Sequence, residues 1–194
     1  ISQEHVPFYL IRYKKIFSCN FIIMVRDPRA AIAGSIKAMS RVKADNILNA
    51  HDFNFIILYW LNARYNIKKI ISKNSSNIKF MQNETMHLNL EDEMKKLCAW
   101  IGIKFSKKNL QETILGTPWL GESAYLPVNN ENDLLSKVPI NYYNSDEVIK
   151  RWRLQLDSKM INMIEIICMT EMKRFNYEPD FKPSLIRKIE AYFT

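Results

Sequence analysis

Residues 21–37, FIIMVRDPRAAIAGSIK, run five apolar residues straight into Arg-Asp-Pro-Arg and then open a helical pattern. Residues 20–25 are short, apolar and β-branched, which predicts a buried strand. A helix is expected from about Pro28 to Met39, with Asp27 as its N-cap and Pro28 as its first residue. In parallel α/β sheets ligands bind beyond the carboxyl ends of the strands. Arg26 stands at such an end, and the following helix brings its unsatisfied N–H groups to the same place. Strand, arginine and helix start together form an arrangement suited to a phosphate. The same residues allow a plainer role, an ion pair between Arg26 and Asp27 or a neighbouring carboxylate.

Other residue types that could do chemistry are few. The three histidines are His5, His51 and His87, and the three cysteines are Cys19, Cys98 and Cys168. The cysteines show no CxxC or metal-ligand spacing and each has an apolar context, which fits buried free thiols and a reducing compartment. His51 precedes an expected helix beside Asp52, a candidate cap, and His87 is expected to be solvated. Phe55, Tyr59, Trp60 and Tyr65 share one helix and are expected in its core face. Trp119, in GTPWLGES, could anchor a loop or shape a lid. Lys150 and Arg151 read first as solvated helix charges. With only four glycines, the chain has no Gly-rich phosphate loop.

Stepping from residues to elements, 194 residues make one domain with a real core. A hydrophobic share of 47% and a charged share of 25% mark a globular chain and exclude disorder. No apolar run approaches the ~20 residues that span a bilayer, and no secretory signal is visible. The formal charge of +8 favours an anionic partner, yet no basic run reaches five residues, which argues against nucleic acid. Besides the strand and helix around Arg26, an amphipathic helix is expected over 6–17, a long helix over about 52–71, and a second strand over 77–83. A helix over 89–103 has Asn89 as candidate cap, acidic residues in its first turn and Gly102 near its end. Residues 106–147 are loop-rich, and a last helix spans about 158–174. Strands alternating with helices indicate a helix-rich α/β domain with a parallel sheet.

These residues, in this order, resemble the sulfotransferases that use 3′-phosphoadenosine 5′-phosphosulfate (PAPS). FIIMVRDPRAAIAGSIK is similar to the family's 3′-phosphate motif, in which the strand-ending arginine and a serine two helical turns later clamp the phosphate. Arg26 matches the arginine. Gly34 stands where the serine usually lies, and Ser35 follows it. FMQNETM is similar to a strand ending in Tyr-Glu-Asp-Leu, with Asn83 in place of the Tyr that often contacts adenine. LEDEMKKLCAWIGI, GTPWLGESAY and the closing helix from Arg151 resemble further family segments. Lys150 and Arg151 lie near a basic stretch that could reach the 3′-phosphate. His5, 21 residues before Arg26, resembles the family's base in Lys-x-His-x-Pro, with Gln3 at the lysine position; Glu4 is the second candidate base.

The resemblance implies a P-loop-type three-layer α/β sandwich over residues 1–194 as a single domain, with PAPS as cosubstrate, 3′-phosphoadenosine 5′-phosphate (PAP) as product, no metal, and a hydroxyl or amine acceptor. Family members begin with a strand, a Lys-bearing phosphate loop and a helix. None of these is found here, so the chain is expected to be N-terminally incomplete, inactive alone, and able to associate through an uncovered sheet edge. A cytoplasmic location is expected. The rival expectation is a degenerate, non-catalytic domain that binds a nucleotide or a protein.

Overall fold

The computed structural model describes residues 20–42, 50–71, 76–110, 113–114, 117–118 and 145–180. The chain divides into two compact units, Ile1–Met81 and Gln82–Thr194.

In the first unit, β1 (Phe21–Val25) leads through Arg26 and Asp27 into α1 (Pro28–Val42). Then come α2 (Ala50–Ile71) and β2 (Ile78–Gln82), which lies beside β1 in a small parallel sheet. The helical crossover between them is what a parallel pair requires, and Phe21 N–H donates to the Asn77 carbonyl at 2.7 Å to start the pairing. The core comprises Phe21 and Ile23 of β1, Ile32 and Ala33 of α1, Ile56 and Ile57 of α2, and Met81 of β2. Helix α1 packs on α2.

Two expectations change here. β1 was expected to be a buried strand, but its residues alternate: Phe21 and Ile23 are buried, while Ile22 and Met24 are 43% and 52% exposed. Successive strand side chains point to opposite faces, and one of these two faces is covered. The aromatics of α2 were expected in the core. Instead Ile56 and Ile57 are buried, and Phe55, Tyr59 and Tyr65 are about half exposed or more. At 100° per residue Phe55, Tyr59 and Tyr65 fall on the side of the helix opposite Ile56 and Ile57. Asp52 also falls inside the first turn of α2 rather than at its cap.

The second unit contains α3 (Asn83–Leu88), α4 (Leu90–Ile101), a 3₁₀ turn at Lys107–Leu110 and the short antiparallel strands β3 (Thr113–Ile114) and β4 (Thr117–Pro118). It closes with α5 (Ser145–Lys150), a 3₁₀ turn at Arg151–Leu154 and α6 (Ser158–Arg174). Helix α3 was not expected. The predicted strand over 77–83 stops at Gln82, and Asn83 opens this helix. Asn89 is the N-cap of α4 as expected, although its side chain makes no capping bond. The acidic residues Glu91, Asp92 and Glu93 of the first turn complement the helix dipole instead.

Gly102 ends α4 in the left-handed region, at φ 82°, where glycine carries no Cβ penalty. The N–H groups of Gly102 and Ile103 both reach the Cys98 carbonyl, at 3.0 and 2.9 Å. Helix α6 ends similarly with a non-glycine residue: Asn176 takes φ 56°, a conformation asparagine tolerates, and Tyr177 N–H donates to the Met172 carbonyl at 2.9 Å. At its other end Asp157 accepts from Met160 N–H at 2.8 Å. Cys98 and Cys168 are buried free thiols, as expected. The helix expected over 6–17, Cys19, and Trp119 with the rest of its loop lie outside the described residues.

Ile164 is fully buried in α6, whereas Asp157 is an exposed cap. Ile164→Ala should therefore lower unfolding free energy by about 2–5 kcal/mol, and Asp157→Ala by only about 1 kcal/mol. Urea melts of the two variants should rank in that order; equal midpoints would contradict the assigned core.

Candidate functional site: the joint between β1 and α1

Only two residues connect the end of β1 to the first residue of α1, so the joint has little freedom. Asp27 is nearly buried, at 6% exposure, and its Oδ1 accepts the Arg29 N–H at 2.9 Å, which confirms it as the side-chain cap of α1. Arg29, 4% exposed, curls back onto the same carboxylate. Its Nε donates to Oδ1 and Oδ2 at 3.0 and 3.2 Å, and its Nη2 donates to Oδ2 at 2.7 Å. Both oxygens thus carry charge-assisted bonds in a fork geometry suited to arginine. Asp27 O also accepts from Ala31 N–H at 2.9 Å, the first helical bond of α1.

Arg26, half-buried, lies just ahead of this pair. Its Nη1 stands 3.9 Å from where a Cβ on Gly34 would be, so the guanidinium reaches along α1 to its second turn. The absence of a side chain at position 34 leaves that surface open to the arginine. Ser35 points differently: it is exposed, and its Oγ donates to the Ala31 carbonyl at 3.0 Å. Serine hydroxyls inside helices commonly bond back to the i−4 carbonyl in this way. The structure therefore brings Arg26 and Gly34 together and leaves Ser35 bonded to its own helix.

The helix start is also less open than the sequence implies. Of the amides ahead of the first helical bond, Pro28 has no N–H and Arg29's is held by Asp27. Ala30 is the one remaining residue of that turn whose N–H could face a ligand, and it is only 3% exposed. An anion arriving here would depend on the Arg26 guanidinium and the helix dipole more than on a row of backbone donors.

The remaining sequence candidates fall elsewhere. His5 and Glu4 lie outside the described residues. Asn83, Lys150 and Arg151 belong to the second unit. Asn83 is half-buried at the start of α3. Exposed Lys150 pairs with Asp146 one turn earlier on α5 at 3.3 Å, a surface pair of small energetic worth, and Arg151 is half-buried in the adjoining 3₁₀ turn. His87, expected in solvent, is half-buried and its carbonyl accepts from Ser145 Oγ at 3.0 Å.

This unit also holds a surface depression of about 410 Å³, bordered by His87, Asn89, Glu91, Asp92 and Lys95. Lys95 donates to Glu91 at 2.7 Å, and this hydrogen bond holds the Glu91 carboxyl below its ordinary range. Among the described residues no group of three or more His, Cys, Asp or Glu side chains could hold a metal ion. No helix among them is long and apolar enough to cross a membrane.

Two side-chain arrangements were not foreseen from the sequence. One is the partner of Asp27, although Asp-Pro-Arg places a long cation two residues beyond a capping carboxylate, a signal available in the spacing. The other is Glu84, whose Oε2 accepts from Tyr177 Oη at 2.7 Å while Gln82 Nε2 donates to the Phe175 carbonyl at 2.6 Å. Those partners are some ninety residues away, and nothing local announces them.

A small parallel sheet joined by a helical crossover, with an arginine at the carboxyl end of its first strand, gives an α/β fold. The model of the sulfotransferase domain matches residues 1–176, and the chain belongs to that family. Among solved structures it is similar to the sulfotransferase domain from the curacin biosynthetic pathway, with a TM-score of 0.58 and 17% identity. That match covers 89% of this chain and 59% of the other, so the chain spans under two thirds of that neighbour's length. At this identity the likeness is one of fold. No curated protein matches the sequence.

Removing the Asp27 carboxylate would take the buried ion-pair partner from Arg29 and uncap α1. Asp27→Ala should therefore destabilise the protein by about 3–5 kcal/mol, the usual cost of breaking a buried pair from one side. Chemical denaturation followed by circular dichroism measures this. A loss under about 1 kcal/mol would mean the pair is solvated in solution.

Proposed function

We propose that this chain is the nucleotide-binding and acceptor-activating part of a sulfotransferase that moves a sulfuryl group from PAPS to a hydroxyl or amine. Residues 1–194 would then form one domain, and the family match across both units supports that reading. The observation that carries the proposal is the position of Arg26: it closes β1 and extends along α1 beside Gly34, where a phosphate can accept from its guanidinium. The donor set fits a phosphate, since a planar fork of N–H groups can meet two oxygens at once. Gly34 and Ser35 would border that phosphate, with Ser35 able to contribute by exchanging its bond to Ala31. Asn83 is proposed to meet the adenine, and Lys150 and Arg151 to add positive charge on the nucleotide.

The chemistry proposed is an in-line transfer, in which positioning and charge stabilisation do most of the work. His5, or Glu4 in its place, takes the proton from the acceptor nucleophile as the new S–O or S–N bond forms and the bond to the 5′-phosphate breaks. A neutral imidazole suits this step because its ordinary pKa lies near ~6.5. The chain has four glycines and no Lys-bearing phosphate loop, so stabilisation of the leaving 5′-phosphate would have to come from elsewhere, and this chain alone is proposed not to turn over. The second reading, a non-catalytic nucleotide-binding domain, draws on that same absence; sulfate transfer after a phosphate loop is supplied would separate the two.

Arg26→Ala should weaken PAP binding by about 2–4 kcal/mol, the cost of truncating a hydrogen-bonded charge partner. Adenosine 5′-phosphate, which lacks the 3′-phosphate, should bind nearly as before. Calorimetry showing equal losses for both nucleotides would refute the role of Arg26. Where transfer is reconstituted, His5→Ala should lower kcat roughly 10²–10⁴-fold with little change in PAP affinity. Full turnover in His5→Ala alongside inactive Glu4→Ala would instead make Glu4 the base.

A further inference from the structure

Three consecutive residues of the second unit, Gln82, Asn83 and Glu84, carry the chain out of β2 and into α3. The outer two are tied to the segment that follows α6. Gln82 Nε2 donates to the Phe175 carbonyl at 2.6 Å, and Tyr177 Oη donates to Glu84 Oε2 at 2.7 Å. That segment is itself anchored on the helix. Phe175 N–H donates to the Glu171 carbonyl at 3.0 Å, and Tyr177 N–H donates to the Met172 carbonyl at 2.9 Å across the left-handed Asn176. Met172 is 2% exposed, so this anchor rests on the buried side of α6. The middle residue differs from its neighbours. Asn83 is half-buried, and its side-chain amide makes no hydrogen bond among the described residues.

We infer that Tyr177 is a positioning residue for base recognition. Its bond to Glu84, with the Gln82 bond on the other side, fixes the backbone at position 83 and so the place from which the Asn83 amide reads the base. The inference rests on the proposed contact between Asn83 and adenine and goes beyond it, because Tyr177 acts through Asn83 and not on the nucleotide. An asparagine amide can accept from the 6-amino group of adenine and donate to a ring nitrogen beside it. Both bonds form together only when the amide is held within a narrow range of positions. Asparagine is short, so its reach is set by where its backbone lies. A hydroxyl 93 residues further along the chain thereby sets the choice of base.

Inosine 3′,5′-bisphosphate is the probe. It carries an oxo group where adenine carries the amino group, and its phosphates match those of PAP. Wild type should prefer PAP roughly 10- to 100-fold, the discrimination a bidentate amide gives. Asn83→Ala should abolish that preference. Tyr177→Phe removes only the hydroxyl. It should cut the preference to about threefold or less by weakening PAP, and leave the affinity for the inosine nucleotide nearly unchanged. In the Asn83→Ala background, adding Tyr177→Phe should change neither affinity further, because the two residues act as one unit. A merely structural Tyr177 would lower both affinities together, or stability alone, and leave their ratio intact.

The experiment is calorimetric titration of the 194-residue chain and these variants with both nucleotides. Thermal melts confirm that each variant is folded. A folded Tyr177→Phe that keeps the wild-type preference overturns the inference. So does a loss of PAP affinity from Tyr177→Phe that is equally large in the Asn83→Ala background. If Tyr177→Phe fails to fold, Gln82→Met, which removes the other tie, decides by the same ratio. A wild-type chain that binds PAP no better than the inosine nucleotide, or an Asn83→Ala chain that keeps the preference, removes the contact between Asn83 and adenine and this inference with it. A preference that Asn83→Ala loses and Tyr177→Phe retains removes the inference alone.

Discussion

The buried ion pair between Asp27 and Arg29 is the constraint around which the first unit is organised. Two charges sit with almost no access to water, and their direct contact offsets part of the cost of burying them. The pair also fixes geometry. Asp27 must hold its carboxylate under the first turn of α1 to serve as cap, and Arg29 must fold back to reach it. The two-residue joint is thereby held at both ends, by the β1–β2 pairing on one side and by the capped helix on the other. Arg26 inherits its direction from that joint. Ile32 and Ala33, buried in the next turn of α1, anchor the same helix from below.

The second unit is tied by polar contacts of a different kind. The residues around Gln82 and Glu84 hold the chain just beyond α6 through the Phe175 carbonyl and the Tyr177 hydroxyl. Glu165, 1% exposed on α6, accepts the Asp180 N–H at 2.8 Å, and Arg153 bonds the Asp180 carboxylate while stacking on Trp152 at 4.4 Å. The turn after α6 is thus gripped from three directions. This gives Glu84 a structural task independent of any ligand. The left-handed Asn176 supplies the reversal that brings Tyr177 to Glu84.

The sulfotransferase family model spans residues 1–176 and so includes residues of both units. Sulfuryl transfer, like phosphoryl transfer, offers a protein little covalent work, so the value of each group lies in where its charge is held. Within the joint Asp27 and Arg29 pair with each other, and the Arg26 guanidinium extends along α1 to Gly34. The formal charge of +8 is consistent with an anionic ligand, but the spacing of the charges at one joint carries far more information than their sum.

Much of this architecture was legible in the residues. Five apolar residues before Arg-Asp-Pro-Arg imply a strand, a cap and a helix start, and β1, Asp27 and Pro28 occupy those roles because strand propensity, capping and the fixed φ of proline are local properties. The ends of α4 and α6 were readable for the same reason. Tertiary structure decided the rest. It exposed one face of β1 and turned the aromatics of α2 outward, because period alone does not say which face finds a partner. It opened α3 at Asn83. It paired Asp27 with Arg29, directed Arg26 to Gly34, and left Ser35 on its own helix. Which charge meets which depends on distances through space and on access to water, and neither is set by spacing along the chain.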